Sequence, residues 1–396
     1  MDNNKRTNYL EFERSHPWLT FRFDVRRLNY RCWMHLGAIQ SKIEHVAHVM
    51  LPPKVRDQLH TLYLAKGIHA TTAIEGNTLS EAEVLERIQM KSTLPQSQKY
   101  QAQEIDNILA ACNQIANDIV VAGADCDLTV AGIKNFDALV LNGLPLEEGI
   151  VPGRIRRRSV GVGTYRGAPP QDCEHLLGCL CDWINNEFDP PSPDLLISFS
   201  ILKAIISHVY LAWIHPFDDG NGRTARLVEV QILLAAGVPM IAAHLLSNHY
   251  NKTRTEYYRQ LDRASKSGGD LVPFITYALQ GLFDELNTQI EHIRKFQWSS
   301  VWKDYVYERF QSKKGIPAKR QLRIALELPH VEEGRCPLSK VRRLTPEIAE
   351  MYAGKTNKTL SRDLNDLAKM ELIRKEGGQV SANVEILHAF LSPRRS

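Results

Sequence analysis

His215-Pro216-Phe217-Asp218-Asp219-Gly220-Asn221-Gly222-Arg223-Thr224-Ala225-Arg226 is the stretch from which the rest of this chain is read. It joins two segments of helical pattern. Upstream, Phe199, Leu202, Ile205, Ile206, Val209 and Trp213 recur at i, i+3, i+4 spacing, the wide apolar stripe of a core helix. Pro216 disfavours helical geometry at His215, so that helix ends there. Downstream, the pattern resumes from Arg223 to Ala236, where Gly237 and Pro239 stop it. The stretch is therefore a loop between two buried helices, and rigid flanks suit a loop that must bind.

Its residue types suit a polyphosphate. Gly220 and Gly222 around Asn221 let successive amides turn one way at the start of a helix, where the partial positive charge favours phosphate. Asp219 is a candidate ligand for Mg2+, which prefers one or two carboxylates plus phosphate oxygens. Arg223 and Arg226 lie three apart on the first helical turn, so both can face one ligand with planar forks. His215, with an ordinary pKa of about 6.5, is the natural base for a hydroxyl nucleophile. Alone, a histidine at a helix end is ordinarily structural and an arginine pair ordinarily a solvated face. Their joint occurrence in one short loop favours function, namely attack by a hydroxyl on a nucleotide phosphate.

Outward from the loop, helical spacing from Val55 through Leu59, Leu62 and Ile68 ends near Glu75, because Gly76 and Asn77 tolerate a left-handed C-cap. Ser80 with Glu83 forms a capping box for the next helix. Between Gly149 and Pro170, Val160 and Val162 alternate about Gly161 among further glycines, which predicts a short β-hairpin. Arg156, Arg157 and Arg158 beside it read either as a solvated charge run or as contacts to a target or nucleotide. The apolar run Leu195 to Ile214 is broken by Ser198, Ser200, Lys203, Ser207 and His208, so it reads as a buried helix and not a membrane span.

The 396 residues exceed one ordinary core and suggest two or three domains, and 43 % hydrophobic with 24 % charged residues describes a soluble globular chain. Seven scattered cysteines without a C-x-x-C pair favour reduced thiols over disulfides. Cys173, His175, Cys179 and Cys181 lack the opposing second pair of a zinc site. The N-terminus lacks a signal-peptide pattern, so the expected location is cytoplasmic, with no membrane partner. Net charge is +4, yet Gln311 to Ser396 carries 17 Lys and Arg against 10 Asp and Glu, a hint of a nucleic-acid partner.

His215 to Arg226 matches in full the H-x-F-x-[DE]-G-N-G-R-x-x-R signature and so resembles the Fic-domain proteins, which typically move AMP from ATP onto a Ser, Thr or Tyr hydroxyl and release pyrophosphate. The resemblance implies His215 as general base, Phe217 as anchor of the loop and Asp219 as the Mg2+ ligand. It implies Gly220, Asn221 and Gly222 as the cradle of the α-phosphate, with Arg223 and Arg226 on the outer phosphates; Asp218 receives no role. Thr71-x-x-x-Glu75-Gly76 resembles the inhibitory [ST]-x-x-x-E-[GN] motif, by which Glu75 would pair with Arg226 and fill the space of the γ-phosphate. The hairpin at Val160, Gly161 and Val162 corresponds to the family's flap, an edge that aligns a target by strand addition. Tyr257 and Tyr258 resemble the helix that packs near the adenine; where relatives carry Asn at its end, this chain has Ser265.

In the tail, T-P-E-I-A-E-M-Y, a turn at A-G-K, the segment T-N-K-T-L-S-R-D-L-N-D-L-A-K-M and a hairpin with Gly377-Gly378 at its tip look like a winged helix-turn-helix. Leu360, Leu364 and Leu367 would pack inward, and Lys355, Lys358, Ser361 and Arg362 would face DNA or a protein. The expectation is a mostly α protein: an N-terminal helical region with the inhibitory helix (1–125), a Fic core with a small β-hairpin flap (126–290), and a linker helix with a winged-helix domain (291–396). Its expected activity is autoinhibited transfer of AMP from Mg-ATP to a protein target and to itself, with a homodimer among the candidate partners. The rivals are removal of AMP with Glu75 positioning water, and a DNA-binding regulator whose core senses nucleotide.

Overall fold

The computed structural model describes residues 10–90, 95–122, 127–162, 165–331 and 334–387; Cys126, the tip of the expected hairpin at 163–164 and the last nine residues lie outside them. The chain divides into two compact units, Met1–Ile290 and Glu291–Ser396. The boundary expected after residue 125 falls inside the first unit, where Ile68 and Ile105 share one core with Ile205 and Val228.

In the first unit, numbering helices of six residues or more, α1 (Tyr30–Ala47), α2 (Pro53–Ile74), α3 (Glu81–Met90), α4 (Lys99–Ala122) and α5 (Val130–Val140) precede a two-stranded hairpin. Local chemistry sets their ends. Asn29 caps α1 by accepting from the Arg31 and Cys32 amides, and Thr129 caps α5 through the Gly132 amide. Pro53 opens α2, where a missing N–H costs nothing. The Ser80–Glu83 capping box forms at α3, with Ser80 N–H donating to Glu83 Oε2 at 2.8 Å and Glu83 N–H to Ser80 Oγ at 3.3 Å.

Strands β1 (Gly161–Val162) and β2 (Tyr165–Arg166) pair antiparallel, with Gly161 opposite Arg166. Then follow α6 (Cys173–Asn186), α7 (Leu196–Ile214), α8 (Asn221–Ala235), α9 (Leu245–Lys252), α10 (Arg254–Lys266) and α11 (Val272–Phe310), whose residues from Glu291 on belong to the second unit and place Trp302, Val306 and Phe310 in its core. The pair α7 and α8 forms the centre, flanked by α1, α4, α5 and α6. Ile201, Leu202, Ile205, Ile206, Val209 and Ile214 of α7 are fully buried, each worth roughly 1.5–3 kcal/mol of transfer free energy. This helix is long and apolar enough to cross a membrane by composition alone, yet most of it is buried inside this core. Its interior histidine, His208, meets Tyr257 Oη through Nε2 at 2.8 Å, and its buried Nδ1 lies 3.4 Å from Glu229 Oε1.

The second unit contains α12 (Ile316–Glu327), β3 (Cys336–Pro337), α13 (Pro346–Met351), α14 (Asn357–Lys369), β4 (Ile373–Glu376) and β5 (Gln379–Ala382), with antiparallel strand order β3-β5-β4. Leu360, Leu364 and Leu367 of α14 pack with Ile324, Ile348 and Val380, while Lys355, Lys358, Ser361 and Arg362 are exposed. Gly377 and Gly378 take the positive φ that the β4–β5 turn needs. The three helices are pinned by buried Asp363, whose Oδ2 accepts from Arg320 Nε at 3.0 Å and Tyr352 Oη at 2.7 Å, and whose Oδ1 accepts from Gln321 at 3.1 Å.

Candidate active site

The loop expected to carry the chemistry runs from the last residue of α7 to the first turn of α8. His215 takes φ +51° and ψ 60°, a left-handed conformation that costs a non-glycine residue energy and must be held by its surroundings. The holder is Arg156. Its Nε donates to the His215 carbonyl at 2.6 Å, Nη2 to the Ala168 and Ile214 carbonyls at 2.5 and 3.3 Å, and Nη1 to the Arg158 carbonyl at 2.8 Å. One buried guanidinium thus satisfies the orphan carbonyls at the end of α7 and ties them to the hairpin stem. Of the alternatives open for the Arg156–Arg158 run, only Arg157 is a simple solvated charge; Arg158 Nε donates to Asp218 at 2.9 Å.

Asn221 closes the loop. Its Nδ2 donates to the Phe217 carbonyl at 2.8 Å and its Oδ1 accepts the Phe217 N–H at 2.9 Å, while the Phe217 ring is buried as an anchor. The Asn221 side chain is therefore spent on the loop, and only its backbone can meet an anion. Gly220 adopts φ +77°, and a Cβ there would come within 2.7 Å of Asp137 Oδ1. Thr224 N–H makes the first i→i−4 bond of α8, to Gly220, so the amides of Asn221, Gly222 and Arg223 precede the helical ladder.

A carboxylate of the protein occupies this helix end. Glu75 caps α2, Gly76 behind it takes φ +103°, and Glu75 Oε1 accepts from Arg226 Nη2 at 2.6 Å. A Cβ on Gly222 would collide with the same Glu75 oxygen, so the carboxylate lies against the start of α8. Arg226, 1 % exposed, also donates from Nε to Thr71 Oγ1 at 2.6 Å and from Nη2 to the Thr71 carbonyl at 2.9 Å. Its Nη1 is buried with no hydrogen-bond partner among the described residues, a donor still lacking an acceptor. Burial alone would raise the Glu75 carboxyl, but Arg226, with Arg223 and His215 beyond it, holds it below the ordinary value.

Arg223 and Arg226 do not face one ligand here. Arg223 Nη1 donates to Glu104 Oε1 on α4 at 2.5 Å and Nη2 to Asp219 Oδ1 at 3.2 Å. Asp219 Oδ1 also accepts the Gly220 N–H at 2.6 Å, and Oδ2 makes no hydrogen bond among the described residues. A half-exposed carboxylate with one uncommitted oxygen, beside a helix start that favours phosphate, fits the partial coordination Mg2+ asks of a protein. Among the described residues no group of three or more His, Cys, Asp or Glu could hold a metal, so such an ion would draw its other ligands from phosphate and water.

A cavity of about 420 Å3 gathers Glu75, His215, Gly222, Tyr165, Tyr257 and Tyr258. His215 is partly covered, and burial together with the Arg156 charge lowers its imidazole pKa to about 4, so it is neutral near pH 7. Tyr257 is 3 % exposed with its hydroxyl on His208, which makes it a wall set in the core; Tyr258 lies half-open at the rim. Tyr165 of β2 donates its hydroxyl to the Trp213 carbonyl at 2.8 Å, and Val160 at the hairpin base accepts the Gly167 N–H at 3.1 Å. Ser265 bonds back to its own helix at Asp262.

Sequence reading missed Glu104 and Asp137, and it gave Arg156 neither of the roles the structure shows for it, the clamp on His215 and the tie to Arg158. Glu104 and Asp137 were legible in part, because each interrupts the apolar stripe of its helix, Glu104 beside Ile105 and Ile108 and Asp137 beside Ile133 and Val140. Burial pushes the Asp137 carboxyl up to about 7. Arg156 gave no such signal beside two further arginines.

A sequence profile described as the Fic/DOC family matches residues 127–233. The chain is 30 % identical over 240 residues to "Protein adenylyltransferase fic-1" of Caenorhabditis elegans, covering 60 % of this chain and 43 % of that protein. It is 30 % identical over 211 residues to "Protein adenylyltransferase Fic" of Nematostella vectensis, covering 53 % and 45 %. The chain thus spans less than half the length of these relatives. Among solved structures, Fic-1 of C. elegans (residues 134–508 of that protein) superposes with a TM-score of 0.53 at 27 % identity over 67 % of this chain and 73 % of the other. A Fic family protein of Desulfovibrio desulfuricans superposes with a TM-score of 0.55 at 20 % identity over 91 % and 98 %, a likeness of fold.

Proposed function

We propose, from the Fic domain that this chain carries and from the site described above, that the protein is an autoinhibited adenylyltransferase acting on protein hydroxyls, itself included. The observation that carries this reading is the Glu75 carboxylate on Arg226 and against Gly222, in the same cavity as a neutral His215. An anion-binding helix start held by an anion of the protein is a phosphate site in its closed state. In the open state the α-phosphate of ATP takes the amides of Asn221 and Gly222, and the outer phosphates take the Arg226 fork left by Glu75, with the orphan Nη1 included. Arg223 assists from the other side of the same helical turn.

The chemistry follows from that placement. The His215 ring accepts the proton of a Ser, Thr or Tyr hydroxyl, and the oxygen attacks the α-phosphorus. The bond from that phosphorus to the bridging oxygen breaks, and pyrophosphate leaves. Mg2+ beside Asp219, when bound, would offset the charge of the outer phosphates. The flap strand β1, with its backbone edge, registers the target segment against His215. The test is incubation with ATP carrying label at the α- or the γ-phosphate: label enters protein from the α-position alone, and His215→Ala removes it. Transfer from the γ-position, or transfer that survives His215→Ala, overturns the assignment.

A second reading concerns the tail. Exposed Lys355, Lys358 and Arg362 on and before α14, with Lys340, Arg342 and Lys375 gathered about Ser361 of the same helix, favour a winged-helix module that meets the phosphates of duplex DNA. Full-length protein is then expected to bind duplex DNA with an affinity that falls steeply with salt and is lost in the Lys358→Glu/Arg362→Glu variant. Binding that ignores salt, or that survives the variant, removes this reading.

A further inference from the structure

Glu104 is a charged group where a charge is expensive. It lies on the apolar stripe of α4 one turn before Ile108, 4 % exposed, and desolvation by that burial raises its pKa. Two neighbours bind its two oxygens separately. Oε1 takes Arg223 Nη1 at 2.5 Å, and Oε2 takes Asn77 Nδ2 at 2.9 Å. A buried ion pair is weak evidence for a stabilising role, since apolar residues of similar volume often serve as well. The far end of the pair suggests a different use. Arg223 Nη2 reaches Asp219 Oδ1 at 3.2 Å, and the Gly220 amide holds the same oxygen, which leaves Oδ2 as the free edge of that carboxylate.

Charge balance points the same way. Asp219 with Arg223 alone is a neutral pair and a poor attractor of a cation. Glu104 behind Arg223 returns one negative charge to the group, in surroundings where screening by water is small. Asn77 joins this strut to the other half of the site: its own amide closes α2 on the Thr72 carbonyl at 3.1 Å, two residues beyond Glu75.

We propose that Glu104 is a positioning residue that, through Arg223, orients and charges Asp219 for the divalent cation carried by the nucleotide phosphates, and that Asn77 ties this strut to the turn bearing Glu75. The proposal rests on the nucleotide-binding reading above. It makes Arg223 a strut for Asp219 as well as a phosphate ligand, whereas Arg226 answers to Glu75.

The test is equilibrium binding of a fluorescent ATP analogue to full-length protein carrying Glu75→Gly, measured with Mg2+ and again with EDTA. The ratio of the two affinities is the gain due to the cation. Adding Glu104→Gln, which keeps the shape and removes the charge, reduces that gain by roughly 10-fold, as loss of a partner behind a metal ligand commonly does. In EDTA the affinity holds or rises, because Arg223 is then less neutralised. Asn77→Ala lowers the gain in the same direction by less, and carries the test if Glu104→Gln does not fold. A gain that neither variant changes overturns the proposal, as does an equal loss with and without Mg2+, which would mark Glu104 as packing only. If Glu75→Gly protein binds no nucleotide at all, the adenylyltransferase reading falls and takes this one with it.

Discussion

His215 carries the acid–base argument, and its protonation is measurable. Its pKa in the folded protein, about 4, lies below the ordinary 6.5, so the unfolded chain binds more protons between those values. The stability due to neutral His215 is therefore present above about pH 6.5 and lost as pH falls towards 4. His215→Gln should flatten this part of the pH dependence, read as the difference in Tm between pH 7 and pH 5 for variant and wild type. An identical dependence in both would mean that His215 is not held neutral by the fold. Because Glu75 raises the His215 value, Glu75→Gln should move the imidazole resonance titration to lower pH still. Gly222 makes a second prediction. Gly222→Ala puts a methyl group where the Glu75 oxygen lies, so it should break the Glu75–Arg226 pair and also deny the space to phosphate. Nucleotide binding should stay weak in this variant, in contrast to Glu75→Gly; strong binding would place the phosphate elsewhere.

At the scale of elements, the site depends on a helix end that is not free to relax. Arg156 fills the carbonyls of His215, Ile214, Ala168 and Arg158, and of these Ile214 keeps the Ala168 N–H at 3.2 Å, so Arg156→Ala takes the guanidinium donor from the other three. Hydrogen bonds to a charged group are worth about 1.5–3 kcal/mol each, so a loss on the order of 3 kcal/mol is expected in urea unfolding, with activity falling further because His215 loses its left-handed clamp. A loss under ~1 kcal/mol would show that the clamp is incidental. Here the limits of sequence reading are visible. The helices around the loop, the end of α2 at Glu75 and the Ser80–Glu83 box are local effects of periodicity, glycine and capping, and local effects can be read along the chain. That Arg156 points inward while Arg157 points to solvent, and that Arg223 meets Glu104 119 residues away, depends on how distant segments pack. Neither follows from spacing. The pairing of Glu75 with Arg226 came from resemblance to a family, because residues 151 positions apart offer no local signal.

At the scale of the whole molecule, two units on one chain imply separable properties. Breaking the buried Arg320–Asp363–Tyr352 cluster of the second unit, as in Asp363→Leu, should lower the stability of that unit while leaving α-phosphate transfer by the first in place. A transfer rate that follows the second unit's unfolding would show that the units act as one. The proposed regulation belongs to this scale: Glu75, on Arg226 and against Gly222, would keep the site of the first unit shut by standing where a phosphate would bind. The direct measurement is the initial rate of self-labelling from α-labelled ATP with Mg2+, for wild type, Glu75→Gly and Glu75→Gly/His215→Ala at equal concentration. The account predicts a slow wild type, a rate at least roughly 10-fold higher in Glu75→Gly, since a charge pair opposing the ligand by ~1.4 kcal/mol already gives that factor, and no label in the double variant. A Glu75→Gly rate equal to or below wild type would contradict it.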